Sequence, residues 1–202
     1  MLPHIALHGL AGVGKDTIGR YLEVQHGHIK VAVSDILREY LVEANPLVIR
    51  DRDARAVPLS TLLAEADGSW DTIKRENPDV RETLKKFGHG ARLIFGDDCW
   101  AHHFLATYKS FVHEYFGGIR PPTCITDIRY ENELAMLNEY FDSLLTIKVI
   151  RPGHTPDGHP SEDGLPDEMF DAVIENNGSL ADLYASVSRT LAIHNIAEAE
   201  AA

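Results

Sequence analysis

A glycine-rich loop that leads into a lysine lies near the N-terminus, and its residues are of the kind that hold a phosphate group. The loop, residues 9–17, reads Gly9-Leu10-Ala11-Gly12-Val13-Gly14-Lys15-Asp16-Thr17. The apolar run before it, residues 4–8, predicts a buried strand, and helical spacing resumes from Thr17. The backbone N–H groups of such a loop, here those of Gly12, Val13 and Gly14, converge on a phosphate at the positive end of the next helix. Because the Lys15 ammonium would reach the outer phosphates, the loop predicts a nucleoside triphosphate site.

One position of this loop departs from the usual G-x-x-x-x-G-K-[ST] pattern. Asp16 follows the lysine, where the hydroxyl that binds magnesium normally stands, and Thr17 comes one residue later. A carboxylate is a hard oxygen ligand, so Asp16 could bind Mg²⁺ directly or through water. It could also favour the helix N-terminus through the helix dipole. The sequence leaves open whether Asp16 or Thr17 contacts the metal.

Composition and charge restrict the class of protein. The chain has 202 residues, of which 44% are hydrophobic, so it can bury one full core. The formal net charge is −12, and basic runs are no longer than a pair such as Lys85-Lys86, which disfavours a nucleic-acid partner. No stretch approaches the roughly 18 apolar residues of a membrane span, and residues 1–4 lack the pattern of a signal peptide. The sequence therefore predicts a soluble, cytoplasmic protein that binds no membrane.

Neither the cysteines nor the histidines predict a metal site of their own. Cys99 and Cys124 give no C-x-x-C pattern, and Cys124 falls in an apolar run that is typical of a core. The histidines show no H-E-x-x-H spacing, and the adjacent pair His102-His103 would point to different faces of a helix.

Short apolar runs that alternate with helical patterns predict an α/β fold with a parallel sheet. The five strand candidates are residues 4–8, 29–33, 123–127, 144–150 and 171–175. Ser34-Asp35 resembles a helix cap after the second strand, and a helix is predicted over residues 179–191. We expect a single domain with its core in residues 1–44 and 119–202.

Residues 45–118 separate the second and third strands, and their pattern predicts a helical insertion. Helices are expected at residues 58–66, after the cap signal Asn77-Pro78, and after Asp97-Asp98. Gly88 and Gly90 are expected to weaken or bend the middle helix. Aromatic residues recur every three or four positions in the last one, which is typical of a core stripe: Trp100, Phe104, Tyr108, Phe111 and Tyr115.

These motifs together resemble the bacteriophage-type deoxynucleoside monophosphate kinases, which are P-loop proteins of the nucleoside monophosphate kinase superfamily. The resemblance covers most of the chain, and the order of its pieces is distinctive. The pieces are Gly14-Lys15-Asp16-Thr17; Asn45-Pro46-Leu47-Val48; Trp70-Asp71 with Lys74; Arg81 with Leu84 and Gly88; Arg92 with Phe95-Gly96-Asp97-Asp98-x-Trp100; Thr126-Asp127-Ile128-Arg129-Tyr130-x-Asn132-Glu133; His159-x-Ser161-Glu162; and Asp171-x-Val173-Ile174-x-Asn176-x-Gly178-Ser179-Leu180.

The resemblance implies a P-loop kinase with a five-stranded parallel sheet that moves the γ-phosphoryl group of ATP onto a deoxynucleoside monophosphate. Lys15 and the loop amides would hold ATP, and Mg²⁺ would bridge its outer phosphates. The acceptor phosphate is already a competent nucleophile at neutral pH, so the protein mainly aligns the reactants and neutralises charge. Catalysis is expected to depend on Lys15, Asp16 and Arg129.

Two residues at the end of the third strand are further candidates. Asp127 and Arg129 lie at the edge where parallel sheets bind ligands, and the Arg129 guanidinium could grip the acceptor phosphate. Alternatively, Arg129 forms a surface ion pair. Asp127 could hold a water bound to Mg²⁺, orient Arg129, or cap a helix.

Positions similar to those of related kinases suggest the remaining roles. Five residues would contact the acceptor: Asp35, Arg38, Trp70, Arg81 and Arg92. Trp70 would stack on the base or belong to the core. Arg151 opens a loop, about residues 151–168, that would be a lid over the phosphates or a linker. Asn176, after the last strand, would line the adenine pocket.

Two other classes of function compete with this interpretation. The nearest is another small-molecule P-loop kinase, of the phosphomevalonate or dephospho-coenzyme A type. A P-loop ATPase or switch module is disfavoured because the N-K-x-D signature is absent and the insertion suits an acceptor-binding subdomain. The preferred base, the choice of deoxyribose over ribose and the oligomeric state stay open. The resemblance and the aromatic-rich insertion are compatible with a homodimer.

Overall fold

The computed structural model describes residues 2–155, 158 and 164–201, with side chains as far as residue 194. A parallel sheet in the order β2-β5-β1-β6-β7 forms its centre. The strands are β1 (His4–His8), β2 (Ile29–Ala32), β5 (Thr123–Ile128), β6 (Leu144–Ile150) and β7 (Ala172–Glu175). All five lie at the predicted positions to within two residues, because each is a short, mainly apolar run, and β1, β5 and β6 are buried along most of their length.

Four helices connect or follow these strands. They are α1 (Lys15–His26), α2 (Val33–Ala44), α7 (Glu131–Tyr140) and α8 (Leu180–Ala201). The apolar faces of α1 and α8 pack on β1, β6 and β7 in one core, whose buried members include Ile5, Leu7, Ile18, Leu22, Ile147, Ile174 and Val187. Cys124 of β5 belongs to the same core and is completely buried.

The chain divides into two compact units, Met1–Val33 with Phe104–Ala202, and Ser34–His103. The second unit contains the hairpin of β3 (Leu47–Arg50) and β4 (Arg55–Pro58), followed by α3 (Leu59–Glu65), α4 (Trp70–Glu76) and α5 (Pro78–Phe95). Helix α6 (Cys99–Phe116) begins in this unit. The buried core of the Ser34–His103 unit contains Leu41, Val48, Leu59, Leu62, Ile73 and Val80.

The hairpin corrects the prediction that residues 45–118 are helical throughout. Only Val48 among the residues of β3 is fully buried, so the sequence carries no clear alternation of apolar and polar positions. Side chains from elsewhere hold the strand instead. The Asp79 carboxylate accepts a hydrogen bond from the Ile49 N–H at 2.7 Å, and the Asn77 side-chain oxygen accepts one from the Asp51 N–H at 3.0 Å.

Two local predictions also need correction. Helix α2 begins directly after β2, so Ser34 and Asp35 lie in its first turn rather than before it. Asn77 stands at the N-cap position of α5, but its side chain makes no capping hydrogen bond because it serves the hairpin. Helix α5 includes Gly88 and Gly90 and ends at Phe95, and the weakening or bend expected at these glycines stays a prediction. Among the described residues, no helix has the length and apolar character needed to span a bilayer.

Candidate functional site

The predicted phosphate loop joins β1 to α1 at the carboxyl edge of the sheet. Gly9 leaves β1 with a φ of 148°, and a Cβ there would lie 2.3 Å from the Val149 carbonyl oxygen. Gly14 has a φ of 109° at the N-cap of α1, and a Cβ there would lie 2.6 Å from Nδ2 of Asn176. Only glycine fits these two positions, because they combine a left-handed backbone with close neighbours. The residue types of the loop therefore follow from its geometry.

The side chain of Lys15 folds back against the backbone of the phosphate loop. Its side chain is only 3% exposed, and its ammonium donates hydrogen bonds of 2.8 Å to the carbonyl oxygens of Gly9 and Leu10. The carboxylate of Asp127 lies 3.8 Å from the same ammonium. A buried ammonium is stable only with such partners. The loop thus holds a fixed positive charge beside the backbone N–H groups that precede α1.

A bulge in β5 places Asp127 at this charge. The register between β1 and β5 shifts between the pairs Ala6–Ile125 and His8–Ile128, so β5 has one residue more than β1 there. Asp127 has a φ of 63°, which is unusual for a residue other than glycine. At this bulge the Asp127 carboxylate lies near Lys15, and the strand continues to Ile128.

Arg129 joins the same group of side chains. Its Nη1 donates to the Gly9 carbonyl oxygen at 3.1 Å, and its Nη2 lies 3.9 Å from the Asp127 carboxylate. The buried Glu133 carboxylate accepts hydrogen bonds from the N–H groups of Arg129, at 2.8 Å, and Tyr130, at 3.2 Å. The structure therefore brings Lys15, Asp127 and Arg129 together, and Glu133 fixes the backbone that carries the arginine.

Asp16 and Thr17 occupy the first turn of α1. Asp16 is exposed, and its carboxylate lies 2.6 Å from the ammonium of Lys30 on β2. Thr17 is half-buried. The oxygens of Asp16, Thr17 and Asp127 are hard donors of the kind that Mg²⁺ requires, and all three residues belong to the same compact unit as Lys15. These residues therefore fit a magnesium ion. Sequence analysis missed Lys30, whose only signal is a charge inside an apolar run.

The side chain of Asn176 bonds to the backbone of the phosphate loop. Its Nδ2 donates to the Val13 carbonyl oxygen at 2.8 Å, and its backbone N–H donates to the Ile150 carbonyl oxygen at 2.8 Å. The predicted contact of Asn176 with adenine stays a prediction. In the structure, Asn176 links the end of β7 to Val13 of the phosphate loop.

The predicted lid begins at the exposed Arg151. His154, which sequence analysis missed, lies over the loop, with its Nε2 2.7 Å from the Ala11 carbonyl oxygen. Residues 156–157 and 159–163 of the predicted lid lie outside the described residues, together with His159, Ser161 and Glu162 of the family motif. The part that the structure describes therefore places one imidazole at the phosphate loop.

His8 anchors the chain where it returns after this segment. The ring Nδ1 bonds to the Ile128 carbonyl oxygen at 2.9 Å, and Nε2 accepts the Leu165 N–H at 3.0 Å. The Lys148 ammonium donates hydrogen bonds to the Leu165 carbonyl oxygen and to the Asp167 carboxylate. Burial lowers the pKa of His8 to about 4, while its bond to Ile128 opposes the shift and nearby cations add to it. His8 is therefore neutral, with its proton on Nδ1.

The second unit holds the residues predicted to contact the acceptor. Asp35 and Arg38 form an ion pair of 2.9 Å on α2. Trp70 is half-buried against the core of this unit. Arg81 donates to the Lys74 carbonyl oxygen at 3.0 Å, and the buried Arg92 donates to the Asp97 carbonyl oxygen.

Arg81 and Arg92 lie on the same helix, α5. They are eleven residues apart, so about 16 Å of helix axis separates them. Arg81 bonds to a residue before the helix and Arg92 to a residue after it, so the two guanidinium groups make their contacts at opposite ends of α5.

Comparisons with known proteins point to one family. A sequence model of the deoxynucleotide monophosphate kinase family matches residues 80–187, just over half of the chain. The deoxynucleotide monophosphate kinase of Escherichia phage RB69 is 29% identical over 114 residues. That alignment covers 55% of this chain and 44% of the phage protein, so the chain matches less than half the length of this relative.

Comparison with solved structures concerns the fold. A sugar kinase from a Janibacter species matches with a TM-score of 0.51 at 13% identity, over 96% of this chain and 96% of that chain. The shikimate kinase of Acinetobacter baumannii, in complex with shikimate, matches with a TM-score of 0.46 at 14% identity, over 96% of this chain and 95% of that chain. The sugar kinase likeness concerns the fold alone, and with the observed sheet it confirms the predicted P-loop kinase fold class.

Proposed function

Because the chain belongs to the deoxynucleotide monophosphate kinase family, we propose that it transfers the γ-phosphoryl group of ATP to the 5′-phosphate of a deoxynucleoside monophosphate. The observation that carries this proposal is the grouping of Lys15, Asp127 and Arg129 at the phosphate loop. Two cations and one carboxylate at the carboxyl edge of a parallel sheet suit a reaction between two phosphate groups.

On this proposal the loop and Lys15 bind the donor. The N–H groups of Gly12, Val13 and Gly14 and the N-terminal end of α1 hold the phosphates. The Lys15 ammonium exchanges its hydrogen bonds to the carbonyls of Gly9 and Leu10 for bonds to phosphate oxygens. This exchange replaces neutral acceptors by charged ones, which form the stronger bonds.

Arg129 is proposed to hold the acceptor phosphate. Its backbone is fixed by Glu133, and a guanidinium has the planar arrangement of N–H groups that binds a phosphate at two points. A phosphate monoester is a nucleophile at neutral pH without a general base, so alignment and charge neutralisation supply the catalysis.

Asp16, Thr17 and Asp127 would hold Mg²⁺ in this proposal. When bound, the ion would neutralise charge on the outer phosphates of the donor. Asp16 belongs to α1 and Asp127 to β5, so two different elements supply the carboxylates.

The acceptor-binding residues of the second unit complete the proposal. Asp35, Arg38, Trp70, Arg81 and Arg92 are proposed to recognise the nucleoside and its phosphate, and Arg151 to act from the lid-like loop. The division of the chain into a core, a helical insertion and a lid-like loop is likewise a proposal. A homodimer also stays a prediction, and light scattering on the eluting protein would measure it.

The experiment that tests the function measures ADP production from Mg²⁺ and ATP with the purified protein. Each deoxynucleoside monophosphate is compared with its ribonucleotide, with phosphomevalonate, with dephospho-coenzyme A and with no acceptor. Stimulation by one or more deoxynucleotides is the expected result and would name the base. Activity with another acceptor alone would move the protein to a different class of small-molecule kinase, and turnover independent of any acceptor would indicate an ATPase.

Two variants test the assigned roles. Lys15→Ala is expected to abolish phosphoryl transfer and leave the fold intact, with Lys109→Ala on the exposed face of α6 as the control; retained turnover would contradict the donor site. Arg129→Ala is expected chiefly to lower kcat/KM for the acceptor. Arg120→Ala removes a guanidinium that lies before β5, at the opposite edge of the sheet. It should leave that kcat/KM unchanged, and equal values for Arg129→Ala and wild type would refute the role.

A further inference from the structure

Lys30 makes a contact that the proposed reaction does not yet use. It is the second residue of β2, an edge strand of the sheet, and its ammonium lies 2.6 Å from the Asp16 carboxylate. A lysine on an edge strand often serves only to prevent pairing with another chain. Here the side chain follows the surface of α1 and is only 28% exposed. Its course along the helix therefore needs a separate explanation.

Gly19 makes room for this course. It is a buried residue in the interior of α1, where glycine costs about 1 kcal/mol relative to alanine. A Cβ at Gly19 would lie 3.0 Å from Cε and 3.1 Å from Cδ of Lys30, and 3.2 Å from Cγ2 of Thr126. A side chain at this position would therefore push against the aliphatic part of Lys30. The helix carries an unfavourable residue at the point where the lysine passes.

The partner of Lys30 is the residue that departs from the usual loop pattern. Asp16 stands where a neutral hydroxyl is normal, and a carboxylate beside the loop carries a full negative charge in the absence of a metal. The Lys30 ammonium compensates this charge. Lys30 and a divalent cation would thus compete for the same carboxylate.

We propose that the Lys30 ammonium neutralises the Asp16 carboxylate when no metal is bound there, and that it thereby weakens metal binding at this carboxylate. This inference rests on the proposed function, because it takes Asp16 as a metal ligand. It makes Lys30 a positioning residue, which acts through Asp16. The aliphatic contact with Gly19 keeps the ammonium near Asp16, so a substitution at either residue should change the metal affinity.

The test measures binding of Mn²⁺, a paramagnetic substitute for Mg²⁺, in the presence of saturating ADP, by electron paramagnetic resonance. Exposed ion pairs are weak, so Lys30→Met is expected to tighten Mn²⁺ binding only about two- to fivefold. Methionine keeps an unbranched apolar chain over Gly19. Lys30→Arg retains the charge and is expected to stay within a factor of two of wild type.

Two further variants separate this local effect from the loss of one charge. Lys85→Met removes a lysine that pairs with Glu82 on the surface of α5, and it should leave Mn²⁺ affinity unchanged. Gly19→Ala keeps every charge and displaces the Lys30 side chain, so it should tighten Mn²⁺ binding in the same direction as Lys30→Met. This variant also carries the test if Lys30→Met fails to fold.

The outcomes distinguish the inference from the function on which it rests. A wild-type protein that binds no Mn²⁺ with ADP would contradict both. An Asp16→Asn variant that binds Mn²⁺ as well as wild type would remove Asp16 as a metal ligand and overturn the inference, while the proposed phosphoryl transfer would stand with Thr17 or Asp127 at the metal. Normal wild-type binding, weakened by Asp16→Asn and unchanged or weakened by Lys30→Met, would overturn the inference alone. Weaker ADP binding by Lys30→Met would also overturn it, because Lys30 would then act on the nucleotide.

Discussion

Lowering the pH should destabilise this protein through His8, and the structure gives the size of the effect. Its imidazole is 2% exposed and uses both ring nitrogens, one as donor to Ile128 and one as acceptor from Leu165. Protonation would place a second proton on Nε2, which destroys the bond from the Leu165 N–H and creates a buried charge near Lys15, Lys148 and Arg129.

The sign follows from the two pKa values of His8. Its pKa is 6.5 in the unfolded chain and about 4 in the folded protein. Between these values the unfolded state holds more protons, so the free energy of unfolding falls as the pH falls from about 6.5 to about 4. Below that range both states are protonated and the contribution stops changing. A difference of about 2.5 pH units corresponds to about 3 kcal/mol.

The assay compares wild type with His8→Asn by urea denaturation at several pH values from 7 to 4. Asparagine retains a donor for the Ile128 carbonyl and does not titrate. Wild type should lose about 3 kcal/mol more than the variant over this range. His4 and His28, whose pKa values burial also lowers, to about 4 for His4, contribute equally to both proteins.

His102→Asn, at an exposed position of α6, provides the control and should keep the wild-type pH dependence. Parallel pH profiles for wild type and His8→Asn would refute the argument. So would an NMR titration in which the His8 ring takes up its proton near pH 6.5.

Three further substitutions give smaller tests. Gly9→Ala should destabilise the protein by at least about 3 kcal/mol in thermal melts, because its Cβ would meet the Val149 carbonyl oxygen at 2.3 Å. Asn176→Ala should cost about 1 kcal/mol and weaken ADP binding in calorimetry, since it removes the support of the phosphate loop at Val13; unchanged ADP affinity would contradict that role. Trp100→Phe should cost about 1–2 kcal/mol in urea denaturation, because it removes the 2.9 Å hydrogen bond from the indole to the Gly88 carbonyl oxygen.

The sequence predicts the sheet and the phosphate loop because both are local patterns. Apolar runs locate the five strands, and the glycines and lysine of residues 9–17 locate the turn between β1 and α1. The hairpin at residues 47–58 is not predictable in this way. Its edge is held by Asp79 and Asn77, which come more than twenty residues later, so no local pattern marks it.

The residues of the candidate site also differ in whether a local sequence pattern predicts them. Lys15, Asp127 and Arg129 carry motif signals, and the structure brings them together. Lys30 and His8 carry none, because their roles depend on strand order. Lys30 lies beside the loop because β2 pairs with β5, and β5 pairs with β1. The bulge that directs Asp127 inward depends on the register of two strands that are more than a hundred residues apart in the chain.

The contrast between the two cysteines has a practical consequence for labelling. Cys124 is completely buried in β5, and burial raises its pKa to about 12, so only about one thiol in ten thousand is ionised at pH 8. Cys99 is half-buried at the start of α6, with a pKa that burial raises less. A maleimide should therefore attach at Cys99 first. The protein thus offers one preferred site for a fluorophore, at the start of α6 in the Ser34–His103 unit.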